Sequence, residues 1–357
     1  MVIVNTSQEN PCPRVSLVIV NLNGLSHLKH CLPSIFQQTY PFAEVIVVDN
    51  ASTDGSPEFV EINYPLVSVL RNEQNLGYAG ANNVGFQQAT GELIAVLNPD
   101  TRVDPNWMTE LVGAMADPEV GLATPKILLM DEPDQINTCG NEITYTGLTF
   151  CRGLDETKDH YNQREFVSAV SGAAFLIRRS ALDLIGGFDE RYFIYYEETD
   201  LSLRAALAGY KCIYVPSSIV YHKYHFKFSP EKAFYQERNR YFSLIKTLRW
   251  RTLLVLFPSL LIAELVGWGY SLINGPQHVL SKIRAYIWLL RNLAHILEAR
   301  RQVQALRRVE DKAILKYFGY RLNFTWTVKP SLAKILDRSV NPILYLFARI
   351  AQRVVTW

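Results

Sequence analysis

The stretch "AEVIVVDNASTDGS" (43–56) decides the fold. Val45, Ile46, Val47 and Val48 follow one another without a polar residue on either face. An unbroken β-branched run of this kind is a strand buried on both sides, as in a parallel sheet. It stops at Asp49 and Asn50 and passes into Ser, Thr, Asp and Gly, residues that favour turns. Upstream, "VSLVIVNLN" (15–23) has the same form and also ends in amides, and "HLKHCLPSIFQQ" (27–38) between the two reads as a helix. Downstream, "VSVLRN" (67–72) is a shorter strand and "NLGYAGANNVGFQQA" (75–89) a Gly-rich loop entering a helix. "ELIAVLNPD" (92–100) is the next strand, and "PNWMTELVGAMA" (105–116) a helix with proline near its start. Strands alternating with helices predict a mostly parallel, doubly wound α/β sheet.

In such a sheet, ligands bind beyond the carboxyl ends of the strands. Asn21–Asn23, Asp49–Asp54 and Asn98–Asp100 each follow an apolar strand, so the pattern gathers them on one edge. The loop after the first strand, "NLNGLSHL", lacks GxGxxG, and GxxxxGK[ST] is absent from the chain. These absences argue against the common nicotinamide-dehydrogenase and P-loop readings.

The chain has 357 residues, 48 % hydrophobic and 20 % charged, a composition that folds. Five scattered cysteines without CxxC spacing point to a reducing compartment, not to a zinc site or a disulfide framework. "MVIVNTSQENPCPR" has no basic segment followed by a long apolar core, so no signal peptide is expected. The net charge of +2 conceals a division. Residues 1–222 hold 13 Lys and Arg against 27 Asp and Glu, while residues 223–357 hold 23 against 7. An acidic half suits metal and substrate; a basic half suits an anionic surface.

Five segments in order carry a family resemblance: "VSLVIVNLNG", "VIVVDNASTDGS", "NLGYAGANNVG", "LNPDT" and "GGFDERYFIYYEETDLSLRAALAGY". Together, over roughly residues 14–250, the chain resembles the family 2 glycosyltransferases, most strongly the bacterial rhamnosyltransferase-like branch. The resemblance implies a GT-A fold, an α/β doubly wound mixed sheet that binds a nucleotide-diphosphate sugar. It implies a UDP or dTDP donor, Mg²⁺ or Mn²⁺ as cofactor, and inversion at the anomeric carbon. "NPD" stands where the family has its DxD motif. Asp100 is then the retained metal ligand, and Asn98 contacts ribose or metal-bound water. Asp49 matches the carboxylate that accepts the pyrimidine N–H. Asn21, Asn23, Asn75, Gly80 and Asn83 belong to the loops along the nucleotide, and Gly172 lies near the donor sugar.

"EETD" places three carboxylates at the start of a helix, after four aromatics in five residues (Tyr192, Phe193, Tyr195, Tyr196). One acidic residue is enough to complement a helix N-terminus. By resemblance, the acidic pair supplies the general base: Glu198, with Glu197 and Asp200 as alternatives. His222 matches a histidine that completes the metal shell or contacts diphosphate. Arg238, in "YQERNRYFSLIK" (235–246), either neutralises phosphate or sits on a solvated helix face.

Residues 1–13 read as an N-terminal tail, 14–250 as the catalytic domain and 251–357 as a basic, helix-rich extension. "TLLVLFPSLLIAELVGWGYSLI" (252–273) is long enough to span a bilayer. A single crossing would carry the Lys- and Arg-rich remainder away from the cytosol, against the positive-inside rule. The expectation is therefore helices lying in or dipping into the cytoplasmic leaflet, with "EARRQVQALRR" (298–308) on anionic headgroups. The alternative is a helical subdomain packing on itself or on a second copy, giving a homo-oligomer. No nucleic-acid-binding motif accompanies the basic tail.

The leading functional reading is an inverting sugar transferase acting on a lipid-linked or cell-surface glycan at the cytoplasmic face of the inner membrane. The runner-up is a non-catalytic scaffold that keeps the fold and binds nucleotide sugar.

Overall fold

The computed structural model describes residues 12–224, 228–325 and 328–357. The expected tail therefore lies almost wholly outside the described residues. The apolar runs form the strands they predict. β1 (Val15–Asn21), β2 (Glu44–Asp49), β3 (Val67–Arg71) and β4 (Leu93–Leu97) are parallel, in the order β3-β2-β1-β4. Helices α1 (Leu25–Ile35), α2 (Ser56–Asn63) and α3 (Gly77–Gln88) make the crossovers. The first two carry the chain to β3 and the third brings it back past β1, so the order reverses at the β1/β4 boundary. Gly85 lets α3 lie against β1, because a Cβ there would stand 2.3 Å from a Val18 methyl.

The second half of the sheet is mixed. β5 (Thr101–Val103) and α4 (Trp107–Ala114) lead to β6 (Val120–Leu129), β7 (Ile136–Thr138) and the small β8 (Asn141–Ile143)–β9 (Thr149–Cys151) pair. β10 (Glu165–Val167) and β11 (Ala174–Arg178) follow, then α5 (Arg179–Ile185), α6 (Glu197–Leu207) and the long β12 (Lys211–His222). β11 runs antiparallel to β4, and the sheet continues through β6 and β12 to β10. One apolar core fills the face under α1 and α4 and another the face under α3, α5 and α6.

Among the described residues, six helices follow: α7 (Pro230–Thr247), α8 (Trp250–Ile273), α9 (Pro276–Arg291), α10 (Leu293–Ala305), α11 (Asp311–Leu315) and α12 (Pro330–Val354). A third core joins α6 to this layer through Leu203, Leu207, Leu244 and Leu256. Among the described residues, α8 is the one helix long and apolar enough to cross a membrane. Its mid-helix Glu264 binds Arg240 and Tyr241 of α7, and Lys282 and Tyr286 of α9, which fixes one side of α8 to protein. The other side leaves Leu254, Phe257, Leu265 and Leu272 exposed.

Candidate active site

Register brings the site together. Asn21 pairs with Asp49 across β1 and β2, and Ile19 with Leu97, so Asn98 follows on the same edge. β11 runs back along β4, and the Asn98 N–H donates to the Ala173 carbonyl at 2.9 Å, which sets Ala173 opposite Asn98 and Gly172 next along the chain. Antiparallel pairing of Thr101 with His222 brings the end of β12 beside Asp100. The three polar strand ends therefore meet on one edge, as the sequence predicts.

Asp49 is 2 % exposed; its oxygens accept from Asn21 Nδ2 at 3.1 Å and from the Ser52 N–H at 3.0 Å. Asn21 Nδ2 also reaches Ser56 at 2.8 Å, and Asn23 accepts from the Thr53 N–H at 2.8 Å. Neighbouring Asn50, which the motif reading passes over, is the hub of this edge. Its Nδ2 donates to Asn75 Oδ1 at 2.7 Å, and its Oδ1 accepts from Asn72 Nδ2 at 3.1 Å and the Leu76 N–H at 3.0 Å. Gly77, at φ +72°, turns the chain into α3 with its Cα against Phe193; a Cβ there would lie 2.5 Å from the ring. Gly80 sits one turn into α3, packed over Leu76.

Asn83 departs from the nucleotide-loop expectation. Its Oδ1 accepts from the Phe188 N–H at 2.8 Å and its Nδ2 donates to the Phe188 carbonyl at 2.9 Å, stapling α3 to the turn before α6. Arg238 departs as well. It is buried, donates to the carbonyls of Arg191 at 2.6 Å and Tyr192 at 2.8 Å, and stacks 4.6 Å from the Trp288 ring centre. Neither a phosphate contact nor a solvated face describes it. Asn239 beside it donates to the carbonyls of Tyr192, Ile194 and Tyr195 at 3.2, 3.1 and 2.7 Å. The pair clamps a segment in which Phe193, Tyr195 and Tyr196 all have positive φ, a conformation costly for residues with a Cβ.

That clamp delivers Glu197 and Glu198 to one cavity of about 420 Å³, which Asn98, Gly172 and His222 also line. Glu198 is half-buried; Asn141 Nδ2 donates to its Oε1 at 3.2 Å. Burial raises the Glu198 carboxyl above the usual carboxylate range despite that bond. Burial, reinforced by the Glu198 charge, raises Glu197 well above it. A carboxyl poised nearer neutrality is what proton transfer requires.

Asp200 has a different role. It is fully buried and bonded to Lys246 Nζ at 2.9 Å, Arg204 Nε at 2.8 Å and the Tyr192 hydroxyl at 3.0 Å. Burial alone would raise its carboxyl, but Lys246 and Arg204 overcome that and hold it below the usual range. A carboxylate locked between two cations is a poor proton acceptor. As an alternative base Asp200 is thus corrected to a structural anchor of α6.

In the same cavity, His222 Nε2 stands 3.4 Å from Asp100 Oδ1, while His222 Nδ1 meets Asn137 Oδ1 at 2.9 Å. If the ring donates from Nδ1 to that amide oxygen, Nε2 presents a lone pair towards Asp100. Tyr78, from the first turn of α3, donates to the Gly172 carbonyl at 2.6 Å and lines the same cavity. Sequence reasoning missed Tyr78, Asn137 and Asn141; Tyr78 alone had a signal, lying inside the "NLGYAGANN" motif.

The chain matches the glycosyl transferase family 2 profile over residues 16–186. It is 31 % identical over 236 residues to the N-acetylglucosaminyl-diphospho-decaprenol L-rhamnosyltransferase of Mycobacterium tuberculosis, covering 58 % of this chain and 76 % of that protein. The chain is a family 2 glycosyltransferase. The Mycobacterium tuberculosis pre-mycofactocin glycosyltransferase is 30 % identical, covering 62 % of this chain and 46 % of that one. In fold, this glycosyltransferase is similar to S. aureus TarS 1-349 in complex with UDP-GlcNAc (TM-score 0.56, 16 % identity, 95 % of this chain and 88 % of that one). It is likewise similar to GalNAc-T7 with UDP, GalNAc and Mn²⁺ (TM-score 0.57, 22 % identity, 67 % and 48 %). These likenesses establish the GT-A-like sheet of the transferase.

Proposed function

We propose that the protein is an inverting glycosyltransferase that moves a sugar from dTDP-rhamnose or a UDP-sugar to a hydroxyl of a lipid-linked or cell-surface glycan precursor. The observation that carries this reading is one cavity lined by both Glu198 and His222, the latter backed by Asp100. Glu198 takes the acceptor hydroxyl proton as that oxygen attacks the anomeric carbon. The bond from that carbon to the diphosphate oxygen breaks, and the diphosphate leaves with the electron pair from the opposite face. Asn141 holds the carboxylate for this step, and Gly172 leaves room for the donor sugar. A Cβ at Gly172 would only touch Glu198 at 3.7 Å, so its smallness serves the open side of the cavity. Asp49, whose oxygens retain free lone pairs beyond their two bonds, accepts the pyrimidine imide N–H. Asn21, Asn23, Asn75 and Gly80 shape the ground around the nucleotide, and Asn98 faces the ribose.

The residues present suit a hard cation. Asp100 Oδ1 is buried without a well-directed hydrogen bond and faces the His222 ring nitrogen. Two ligands each about 2.1 Å from one ion stand about 3 Å apart when roughly at right angles, close to the separation seen. Among the described residues no cluster of three or more His, Cys, Asp or Glu is placed to hold a metal, so donor diphosphate and water would complete the shell. When bound by Asp100 and His222, Mg²⁺ or Mn²⁺ supplies positive charge to the leaving diphosphate. The relative named for a diphospho-decaprenol substrate and the exposed apolar side of α8 support work at the cytoplasmic leaflet, with the helices peripheral or re-entrant.

Calorimetric titration with UDP, dTDP and GDP, with and without Mn²⁺, tests the reading. Metal-dependent binding of UDP or dTDP, followed by transfer that Glu198→Gln abolishes, is the expected result. Binding by a wild-type protein that transfers to no acceptor would leave the scaffold reading. Absence of binding to either pyrimidine diphosphate in a folded sample would end both.

A further inference from the structure

Residues 137–141, "NTCGN", lie outside all five motifs, yet their two amides meet His222 at one end and Glu198 at the other. The segment begins in the ladder that carries His222. Thr138 pairs with Ile127 of β6, and two residues on, Leu129 of β6 pairs with His222 of β12. It ends against the stretch leading to Gly172, where the Asn141 N–H donates to the Ala169 carbonyl at 2.9 Å. The next N–H in that stretch, of Val170, donates to the Ser202 hydroxyl of α6 at 3.2 Å, and Ser202 donates to the Glu198 carbonyl at 2.7 Å. One short piece of chain therefore connects the β12 side of the site to the α6 side.

The local sequence does not make this piece stiff. Gly140, at φ +81°, turns the chain, and glycine is the least restricted residue a segment can contain. What stiffens it is Arg152. Its Nε and Nη2 donate to the Cys139 carbonyl at 2.9 and 2.6 Å. Its backbone closes the same turn: the Cys139 N–H donates to the Arg152 carbonyl at 2.8 Å, and the Arg152 N–H to the Gly140 carbonyl at 3.2 Å. The guanidinium is itself held, by Glu165 at 2.7 Å and over the Tyr161 and Tyr214 rings at 4.7 and 5.2 Å. Hydrogen bonds from a charged donor are about twice as strong as neutral ones. Within the turn, the Thr138 hydroxyl reaches the Gly140 carbonyl at 2.7 Å and Asn141 Oδ1 at 3.2 Å, which leaves the Asn141 nitrogen to Glu198. All four side chains, from Asn137 to Asn141, are buried.

We propose that Arg152 is a positioning residue for both groups at once: by clamping the Cys139 carbonyl it makes residues 137–141 a spacer of fixed shape between Glu198 and His222. This rests on the transferase reading and adds to it what sets the spacing of its parts. Inversion requires the attacking oxygen and the leaving diphosphate in line on opposite faces of one carbon. The group that takes the proton and the group that steadies the diphosphate must then keep a fixed separation, and small misplacements are costly in rate. Arg152 is not among the residues that line the cavity, so it acts through the segment.

The experiment compares variants of the full chain by two readouts. Calorimetry with UDP, with and without Mn²⁺, reads the His222 end, and the acid limb of kcat/KM reads the Glu198 end. Asn137→Ala is expected to weaken the Mn²⁺-dependent part of UDP binding about tenfold and leave the limb in place. Asn141→Ala is expected to move the limb to higher pH, because the bond from Asn141 favours the ionised Glu198 carboxyl, and to leave UDP binding alone. Arg152→Gln is expected to do both, weakening Mn²⁺-dependent UDP binding roughly threefold and raising the limb by about half a pH unit. Arg152→Lys keeps the charge but not the fork; it should shift both readouts less, in the same directions, and it carries the test should Arg152→Gln fail to fold. Simple loss of stability lowers the amount of active protein but moves neither a dissociation constant nor a pH limb. Arg152 variants that move neither readout, or only one, would overturn the inference. If the wild type binds UDP and transfers sugar, that result sinks the spacer alone; a wild type that does neither sinks the transferase reading and the spacer with it.

Discussion

Three carboxylates stand within four residues, and substitutions that keep shape but remove charge separate them. In Asp200→Asn, Lys246 and Arg204 remain buried without their shared counter-charge, although Lys246 keeps Asp189 at 2.9 Å. Breaking a buried pair by removing one partner costs about 3–5 kcal/mol, which for a chain of this size lowers Tm by on the order of 10 °C. Glu198→Gln acts in the opposite sense on stability. Because burial raises the Glu198 carboxyl in the folded state, its ionised form opposes folding above that raised pKa, and Gln removes the penalty. Asp200, held low, contributes stability that is full above the unfolded carboxylate pKa and is lost as pH falls through the lower folded value. The assays are thermal unfolding between pH 4 and 8 together with initial transfer rates. Expected are a Glu198→Gln protein at least as stable as wild type with transfer reduced about 10²–10⁴-fold, and an Asp200→Asn protein that melts early but keeps measurable turnover at low temperature. An Asp200→Asn protein with unchanged Tm and no transfer, beside an active Glu198→Gln protein, would refute the assignment of both residues.

Asn239→Ala frees three carbonyls of the segment before α6; kcat should fall at least tenfold while UDP affinity, measured by calorimetry, changes less than twofold. His222→Ala should weaken the Mn²⁺-dependent part of UDP binding about tenfold or more and leave the metal-free part intact, which titration with and without Mn²⁺ resolves. The acid limb of kcat/KM should lie above the usual carboxylate range, since Glu198 must lose its proton before it can act; a limb near pH 4 would contradict this. Leu254→Gln with Leu265→Gln should reduce sedimentation with vesicles of anionic phospholipid and leave transfer to a soluble acceptor unchanged.

The parallel half of the fold was legible because its strands are long apolar runs whose polar ends share a register; Asn21, Asp49 and Asn98 fall on one edge for that reason. Residues 130–170 were not legible. Their strands are three residues long and carry little periodicity, so nothing marked Asn137 or Asn141 as supports for His222 and Glu198. Glu198 and Asp200 could not be told apart locally either. What distinguishes them is Lys246, far along the chain and brought to Asp200 only by the packing of α7 on α6. Arg238 misled for a related reason: a guanidinium near a phosphate site suggests a ligand, whereas burial here commits it to backbone carbonyls. Asn83 lies in a motif that the family resemblance places along the nucleotide, but one turn along α3 its side chain turns to the Phe188 backbone.

The left-handed aromatic segment has a consequence for biosynthesis. Phe193, Tyr195 and Tyr196 each hold a backbone conformation that costs about 1–3 kcal/mol, and the amide that compensates comes from α7, which is translated after β12. A ribosome-bound chain ending at β12 already has all the described strands of the sheet, yet its segment ahead of Glu197 is free to relax towards ordinary geometry. Ordered presentation of Glu197 and Glu198 therefore waits on α7, and Asn239 with it, leaving the ribosome.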